Sequence, residues 1–137
     1  MEKHSIGSWL KALFYDHLMK IWDSHYRQTR YFLIIPCEIT EIKYDKIFAG
    51  RIVNLSKSGL FIETEKKLSL GSSIYVCFQY KDDNYRLAAR VVSDHFVVQS
   101  EGIGAKFIYN RFYSNQRSIV ANLIRTIEKE HPAVPKS

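Results

Sequence analysis

The alternation of apolar and polar residues predicts two amphipathic helices on either side of a long β region in this chain of 137 residues. In segment 5–22, apolar residues recur every three or four positions, which places them on one broad stripe of a helix. This stripe consists of Ile6, Trp9, Leu10, Leu13, Phe14, Leu18, Ile21 and Trp22. A second segment, 114–130, repeats the spacing, with Ser114 as the expected N-cap. Its apolar positions are Ile119, Val120, Leu123, Ile124 and Ile127.

Between the helices, the apolar residues recur with the two-residue period of half-buried β-strands. The predicted strands span 34–40, 48–55, 59–64, 74–80, 85–93 (extended by 96–98) and 103–109. Polar turns are predicted at 44–46, 81–84 and 100–102, and a longer loop at 66–73. Short strands joined by such turns are typical of an antiparallel sandwich or barrel. We therefore expect one mainly β domain with a helix at each end.

The net charge of +6 is unevenly distributed along the chain. Residues 26–60 carry six basic and three acidic side chains, and residues 102–137 carry six and two. An anionic ligand fits this pattern, and so does an ordinary solvated basic surface. A nucleic-acid polymer is not expected, because the sequence has no dense block of lysine and arginine and no aromatic RNA-binding signature.

The residues that carry chemistry argue against an enzyme. The five histidines are scattered, and no pattern of a metalloprotease, serine hydrolase or P-loop occurs. Cys37 and Cys77 are unclustered in apolar runs, so we expect reduced core residues of a cytoplasmic protein rather than a disulfide or metal site. No signal peptide and no transmembrane segment of about 20 apolar residues are predicted. We expect no catalytic residue, no metal and no cofactor.

One polar turn stands out between the second and third predicted strands. It runs Asn54-Leu55-Ser56-Lys57-Ser58-Gly59, and Arg27 and Arg30 precede it in a polar linker, 23–33. Amide, hydroxyl and backbone groups recognise the polar edge of a planar ligand, and guanidinium groups recognise phosphate and guanine. The alternative is a plain turn in which Asn and Ser bond to local backbone and Gly supplies a positive φ.

The order of these motifs resembles the PilZ domain, a bacterial receptor module for the second messenger cyclic di-GMP. The resemblance covers roughly residues 25–130. The family motif [D/N]-x-S-x-x-G is intact as Asn54, Ser56 and Gly59. The run Gly102-Ile103-Gly104-Ala105-Lys106-Phe107 is similar to the final-strand motif of the family. The resemblance implies a six-stranded antiparallel β-barrel with a C-terminal helix, here preceded by the N-terminal amphipathic helix.

The other signature motif of the family, R-x-x-x-R before the barrel, departs from the pattern. When Pro36 is aligned with the family, Arg30 takes the second arginine position and Tyr26 takes the first. Arg27 then matches an accessory arginine that often stands beside the first. The resemblance implies that Arg27 and Arg30 hold phosphates and cover a guanine. Tyr26 retains an aromatic face for stacking but no charge.

The same resemblance assigns roles to the remaining ligand-binding candidates. Asn54 and Ser56 would bond to a guanine edge, and Gly59 would allow close backbone approach. Lys106, in the last strand, would add positive charge. We therefore expect residues 1–25 to form the N-terminal helix, 26–130 the PilZ-like domain and 131–137 a flexible tail.

The function that the resemblance implies is that of a cytoplasmic bacterial signalling receptor that binds cyclic di-GMP and couples binding to a protein partner. Ordering of the linker over the nucleotide would reorient the N-terminal helix. The apolar stripe within 6–22 could pack on the barrel, mediate self-association or bind a partner, or lie on a membrane surface. The alternative function is a degenerate PilZ-like interaction module that binds no nucleotide, and Tyr26 is the residue in its favour.

Overall fold

The strands of this protein bury one side of each β-ladder in a common core, and the sheet closes on itself. The computed structural model describes residues 29–97 and 100–130. The strands are β1 (Tyr31–Glu41), β2 (Lys46–Leu55), β3 (Gly59–Glu63), β4 (Ser73–Tyr80), β5 (Asp83–Val97) and β6 (Ser100–Phe107). All neighbours are antiparallel in the closed order β1-β2-β3-β6-β5-β4. The predicted six-stranded antiparallel barrel is therefore confirmed.

A short 3₁₀ helix, Arg111–Tyr113, leads into the C-terminal helix α1, Gln116–Glu130. The helix packs one face into the barrel core, as its sequence pattern predicts. Its buried apolar residues are Val120, Leu123, Ile124 and Ile127. Ile119 was expected on the same stripe but is exposed. Within the described part of the chain, no helix is long and apolar enough to cross a bilayer.

Two local predictions about turns and caps are wrong. Residues 100–102 belong to β6, because the ladder with β5 continues to the pair Val97 and Ser100. Ser114 is not an N-cap, since its backbone is already helical (φ −61°, ψ −27°) at the end of the 3₁₀ helix. The capping side chain in this region is that of Asn110, which accepts a hydrogen bond from Phe112 N at 3.0 Å.

The barrel wall is incomplete between β1 and β4. Their pairing covers only Glu38–Glu41 with Ile74–Cys77, so the part of β1 before Glu38 has no β4 partner. The C-terminal end of α1 lies there instead, where the Tyr31 hydroxyl donates to the Glu128 carboxylate at 2.5 Å. Lys81, in the β4–β5 turn, pairs with Glu130 at the end of the same helix. The helix thus contacts β1 near Tyr31, whereas Pro36 and Cys37 border an open cleft that Phe78 lines from the β4 side.

Both cysteines are free thiols. Cys37 is buried in the barrel core as expected, whereas Cys77 is partly exposed on the outer face of β4. The predicted N-terminal helix 5–22, the linker positions 26 and 27, and the tail 131–137 lie outside the described residues.

The buried thiol and phenol groups predict a loss of stability at alkaline pH. Burial raises the pKa of Cys37 to about 12. Burial, together with the hydrogen bond to Glu128, raises the pKa of Tyr31 to about 12. Ordinary values are about 8.5 for a thiol and about 10 for a phenol. The neutral groups thus stabilise the fold fully below these values, and this contribution is lost as the pH rises toward the folded pKa.

Urea unfolding at a series of pH values from 8 to 11 measures this effect. We expect the free energy of unfolding to fall throughout the series and to fall less steeply in Tyr31→Phe. Tyr44→Phe, at an exposed tyrosine, serves as the control and should retain the slope of the unmodified protein. A slope that is identical in all three proteins would contradict the prediction for Tyr31.

Candidate ligand-binding site

The motif turn, Asn54–Gly59, joins β2 to β3 and is held by its own polar groups. Ser56 N donates to Gly59 O at 2.8 Å, and Ser58 N donates to Ser56 Oγ at 3.3 Å. Ser56 is only 3% exposed, so its hydroxyl holds the turn together from inside. Gly59 begins β3, and among the described glycines the positive φ occurs at Gly71. A positive φ is therefore not the reason for glycine at position 59.

Arg30 lies beside this turn, as the sequence analysis anticipated. Its Nη1 atom donates to Asn54 Oδ1 at 3.4 Å, across 24 positions of sequence. The pair of strands β1 and β2 brings them together, because the ladder that begins at Tyr31 pairs it with Leu55. One arginine of the linker and the first residue of the motif turn thus share a site. Tyr26 and Arg27 lie outside the described residues.

Lys106 lies on the other side of the motif turn. It pairs with Gly59 across β3 and β6, and with Arg90 across β6 and β5. Lys106 and Arg90 are both exposed on the outer face. Two cationic side chains are thus placed on neighbouring strands next to Gly59.

The motif turn is also fixed from outside by the last strand and the helix. Tyr109 donates its hydroxyl proton to Lys57 O at 2.6 Å, and Phe107 N donates to Ser58 O at 2.7 Å. The Arg117 guanidinium of α1 stacks 4.3 Å from the centroid of the Tyr109 ring. Burial raises the pKa of Tyr109 to about 12, although nearby Arg117 lowers it. The phenol therefore remains a donor at neutral pH and keeps the turn preorganised.

The two glycines of β6 make room for an aromatic ring beside the site. Ile62 faces the core, so its neighbour Phe61 projects from the outer face of β3. A Cβ atom at Gly102 would lie 2.6 Å from the Phe61 ring and 2.6 Å from Ile62 O. The residue pattern of β6 does not by itself indicate this packing role. Because Phe61 pairs with Asn54 across β2 and β3, the ring forms part of the support of the motif turn.

Sequence reasoning missed a second aromatic residue, Phe32. It pairs directly with Asn54 across β1 and β2 and is 63% exposed. The sequence does contain a signal for an exposed aromatic residue here, since β1 begins with apolar residues at both its inward and its outward positions. Tyr109 was also missed, because its contact with Lys57 joins positions 52 residues apart.

Comparison with known proteins places this arrangement in a family. The sequence profile described as the PilZ domain matches residues 24–124. The chain belongs to the PilZ domain family. No curated protein matches the sequence.

Solved PilZ structures share the barrel at low sequence identity. The PilZ domain of CeSA from a cellulose-synthesizing bacterium is 24% identical, with a TM-score of 0.57 over 72% of this chain and 97% of that one. The PilZ domain of YcgR from Escherichia coli, solved with cyclic di-GMP, is 15% identical, with a TM-score of 0.60 over 76% and 92%. MrkH, titled a cyclic di-GMP-dependent transcription regulatory factor, is 14% identical, with a TM-score of 0.57 over 76% and 51%. At these identities the likeness is one of fold.

Proposed function

We propose that this PilZ domain protein is a cyclic di-GMP receptor that transmits binding to a protein partner and is not an enzyme. The observation that carries the proposal is the contact between Arg30 and Asn54, which joins the two signature segments at one place. Family membership supports it. The cyclic di-GMP in the structure of the YcgR domain, and the dependence on it stated for MrkH, support the choice of ligand.

The proposed roles follow from what each side chain offers. The Arg30 guanidinium has five N–H donors in a planar fork, which suits a phosphate and the face of a guanine. The Asn54 amide offers one acceptor and two donors to a base edge. The two groups lie 3.4 Å apart, so one nucleotide could reach both. Arg27 would add a second phosphate contact, and Tyr26 an aromatic face.

Ser56, Gly59 and Lys106 complete the proposed site. Ser56 is buried and bonded within the motif turn, so we assign to it the positioning of the turn's backbone rather than first contact with the base. Gly59 is buried at the start of β3, and we assign to it the role that the family motif implies, close approach of the ligand to the backbone. Lys106, directly across the ladder from Gly59, contributes long-range attraction for the phosphates.

Calorimetric titration with cyclic di-GMP tests the proposal, with GMP as the ligand control. Arg30→Ala should raise Kd about tenfold or more, because a charge-assisted bond and cation–π stacking are lost. Arg125→Ala removes the same charge from an exposed position on α1 and should bind like the unmodified protein. Equal losses in both variants would attribute the effect to net charge and contradict the proposed role of Arg30.

A second candidate function rests on one residue, Tyr26, which occupies the first signature arginine position. As a degenerate interaction module, the protein would give no heat with cyclic di-GMP at high micromolar concentration. Its activity would then reside in self-association or partner binding through the stripe within 6–22. The calorimetric titration separates this candidate from the first, and sedimentation of the full chain compared with Trp9→Ser then tests whether the stripe mediates self-association.

Coupling to the N-terminal segment is part of the first proposal. Residues 31–33 of the predicted linker already belong to β1, so ligand that engages Arg30 and Arg27 should slow amide hydrogen exchange in residues 23–30. Unchanged exchange in a protein that binds the ligand would remove this coupling mechanism and leave the receptor function intact.

A further inference from the structure

Phe32 has an unusual position for a large aromatic side chain. It lies on β1, two residues after Arg30, and it is the register partner of Asn54 on β2. Opposed residues of an antiparallel pair project to the same face, with Cβ atoms about 4.5–5.5 Å apart. Residues two apart on an extended strand also share a face. The Phe32 ring therefore lies on the same side of the sheet as Arg30 and Asn54.

The ring does not serve the core. Phe32 is 63% exposed, whereas its neighbour Tyr31 is buried against the C-terminal helix. Immediately after Phe32, the β1–β2 ladder changes register before it resumes at Ile35. A bulge of this kind twists the strand and re-aims side chains next to it. Phe32 is thus held at a fixed backbone position, on a regular pair, with its ring open to solvent.

Stacking on a nucleobase is the use that fits these neighbours. A base gains free energy by stacking on an aromatic ring, and the gain is tolerant of base identity. With its face on Phe32, a guanine would turn its polar edge toward Asn54, and the phosphate attached to it would come within reach of Arg30. The three side chains would then meet the three chemical parts of one nucleotide: an apolar face, a polar edge and a charged phosphate.

We propose that Phe32 is a base-stacking residue of this site, an inference that rests on the proposed binding of cyclic di-GMP. Stacking compensates for part of the affinity that is lost where Tyr26 replaces a charged arginine. Because stacking involves no counterion release, the contribution of Phe32 to affinity persists at high salt, whereas that of Arg30 declines. Stacking on Phe32 raises the affinity for a purine ring and does not select among purines.

The test uses the full chain, cyclic di-GMP and four variants. Phe32→Leu keeps an apolar side chain but removes the aromatic face, and Phe32→Trp restores a larger one. Phe112→Leu makes the same change at a ring that is 87% exposed on the 3₁₀ helix after β6. Asn54→Ala tests the proposed hydrogen bonds between Asn54 and the polar edge of the guanine. Kd is measured at low and high salt, and the guanine H8 proton is followed by NMR, since a stacked ring shifts it upfield.

We expect Phe32→Leu to raise Kd about tenfold at both salt concentrations and to abolish the upfield shift of H8. Phe32→Trp should restore both, and Phe112→Leu should leave both unchanged. A Phe32→Leu protein that binds like the unmodified one, with the H8 shift intact, would overturn the stacking role alone. If the unmodified protein itself does not bind, the proposed function fails and the stacking role fails with it.

Thermal unfolding of the same variants shows whether a loss of binding results from a loss of folding. The exposure of Phe32 predicts that Phe32→Leu melts within a few degrees of the unmodified protein, as surface substitutions generally do. A large drop in Tm for Phe32→Leu, together with loss of binding that Phe32→Trp does not restore, would identify a structural role and overturn the inference.

Discussion

Replacement of Gln116 by leucine is expected to lower the free energy of unfolding by about 3–5 kcal/mol, because it removes three hydrogen bonds at one buried point. Gln116 is the first residue of α1 and is only 5% exposed. Its Oε1 accepts from Ala88 N at 2.7 Å, and its Nε2 donates to Ala88 O at 2.9 Å and to Ile108 O at 2.7 Å. Leucine fills a similar volume but removes the partner of Ala88 N and of Ile108 O, while Ala88 O keeps the bond from Ile108 N at 3.0 Å.

Chemical denaturation measures this loss, and two further variants make the interpretation specific. Ser118→Ala, on the exposed side of the same helical turn, should change stability by less than about 0.5 kcal/mol. Gln116→Glu keeps the oxygen that accepts from Ala88 N but, when ionised, turns a second oxygen toward two carbonyl groups. That environment raises the pKa of the new carboxyl above its ordinary value of about 4.3. The Glu variant should therefore be most stable at acidic pH and lose stability as the pH rises above about 4.

A stability of Gln116→Leu within 1 kcal/mol of the unmodified protein would contradict this account. It would mean that water or a local shift of the backbone satisfies Ala88 and Ile108 at small cost. The anchoring of α1 would then depend on its apolar face alone.

Gly102→Val should destabilise the barrel by about 3 kcal/mol or more, an overpacking effect at the upper end of the usual range. Any side chain at Gly102 meets both the Phe61 ring and Ile62 O at 2.6 Å. The ring can move, but the carbonyl belongs to the backbone of β3, which is hydrogen-bonded to β6 along its whole length. The strands must therefore separate or shift, and Tm should fall in proportion.

Gly104→Ala is the matched control for Gly102→Ala, the smallest form of this change. The Cβ atom added there would meet Ser93 Oγ at 2.7 Å, and that side chain can rotate away. Rotation would cost the bond from Gly104 N to Ser93 Oγ, about 1 kcal/mol. Adding Phe61→Leu to Gly102→Val should restore part of the stability, since the ring is removed while the carbonyl remains. No difference between the two glycine-to-alanine variants would show that backbone contact at Gly102 is not the cause.

Much of the barrel could be predicted because strand periodicity is a local property. The alternation along 34–40 and 74–80 identifies inward and outward residues without knowledge of their partners, and both segments are strands in the structure. The end of β5 and start of β6 could not be placed in this way. Ser100, Glu101 and Gly102 have the composition of a turn, but pairing with β5 keeps them in the ladder. Tertiary pairing overrode local propensity there.

The candidate site and the anchor of α1 likewise combine residues that local sequence identifies with residues that only tertiary pairing identifies. The motif turn and Arg30 carry recognisable residue types, so the sequence alone indicated that they belong together. Phe32 and Gln116 carry no such signal. An apolar residue at the start of a strand and a glutamine at the start of a helix are ordinary, and their meaning depends on which backbone lies opposite. The register of β1 against β2 determines the partner of Phe32, and the packing of α1 on the barrel determines the partners of Gln116. Neither can be deduced from the neighbouring residues in the sequence.

The gap between β1 and β4 has a consequence for the behaviour of the protein in concentrated solution. The backbone of β1 before Glu38 has no strand partner on the β4 side, and α1 reaches this stretch at Tyr31. Uncovered edges pair with other chains and seed aggregates. Release of the helix would expose both this edge at Tyr31 and the apolar core that Val120, Leu123, Ile124 and Ile127 complete. We therefore expect the anchors at the two ends of α1, Gln116 and Glu128, to lower the tendency of the protein to aggregate.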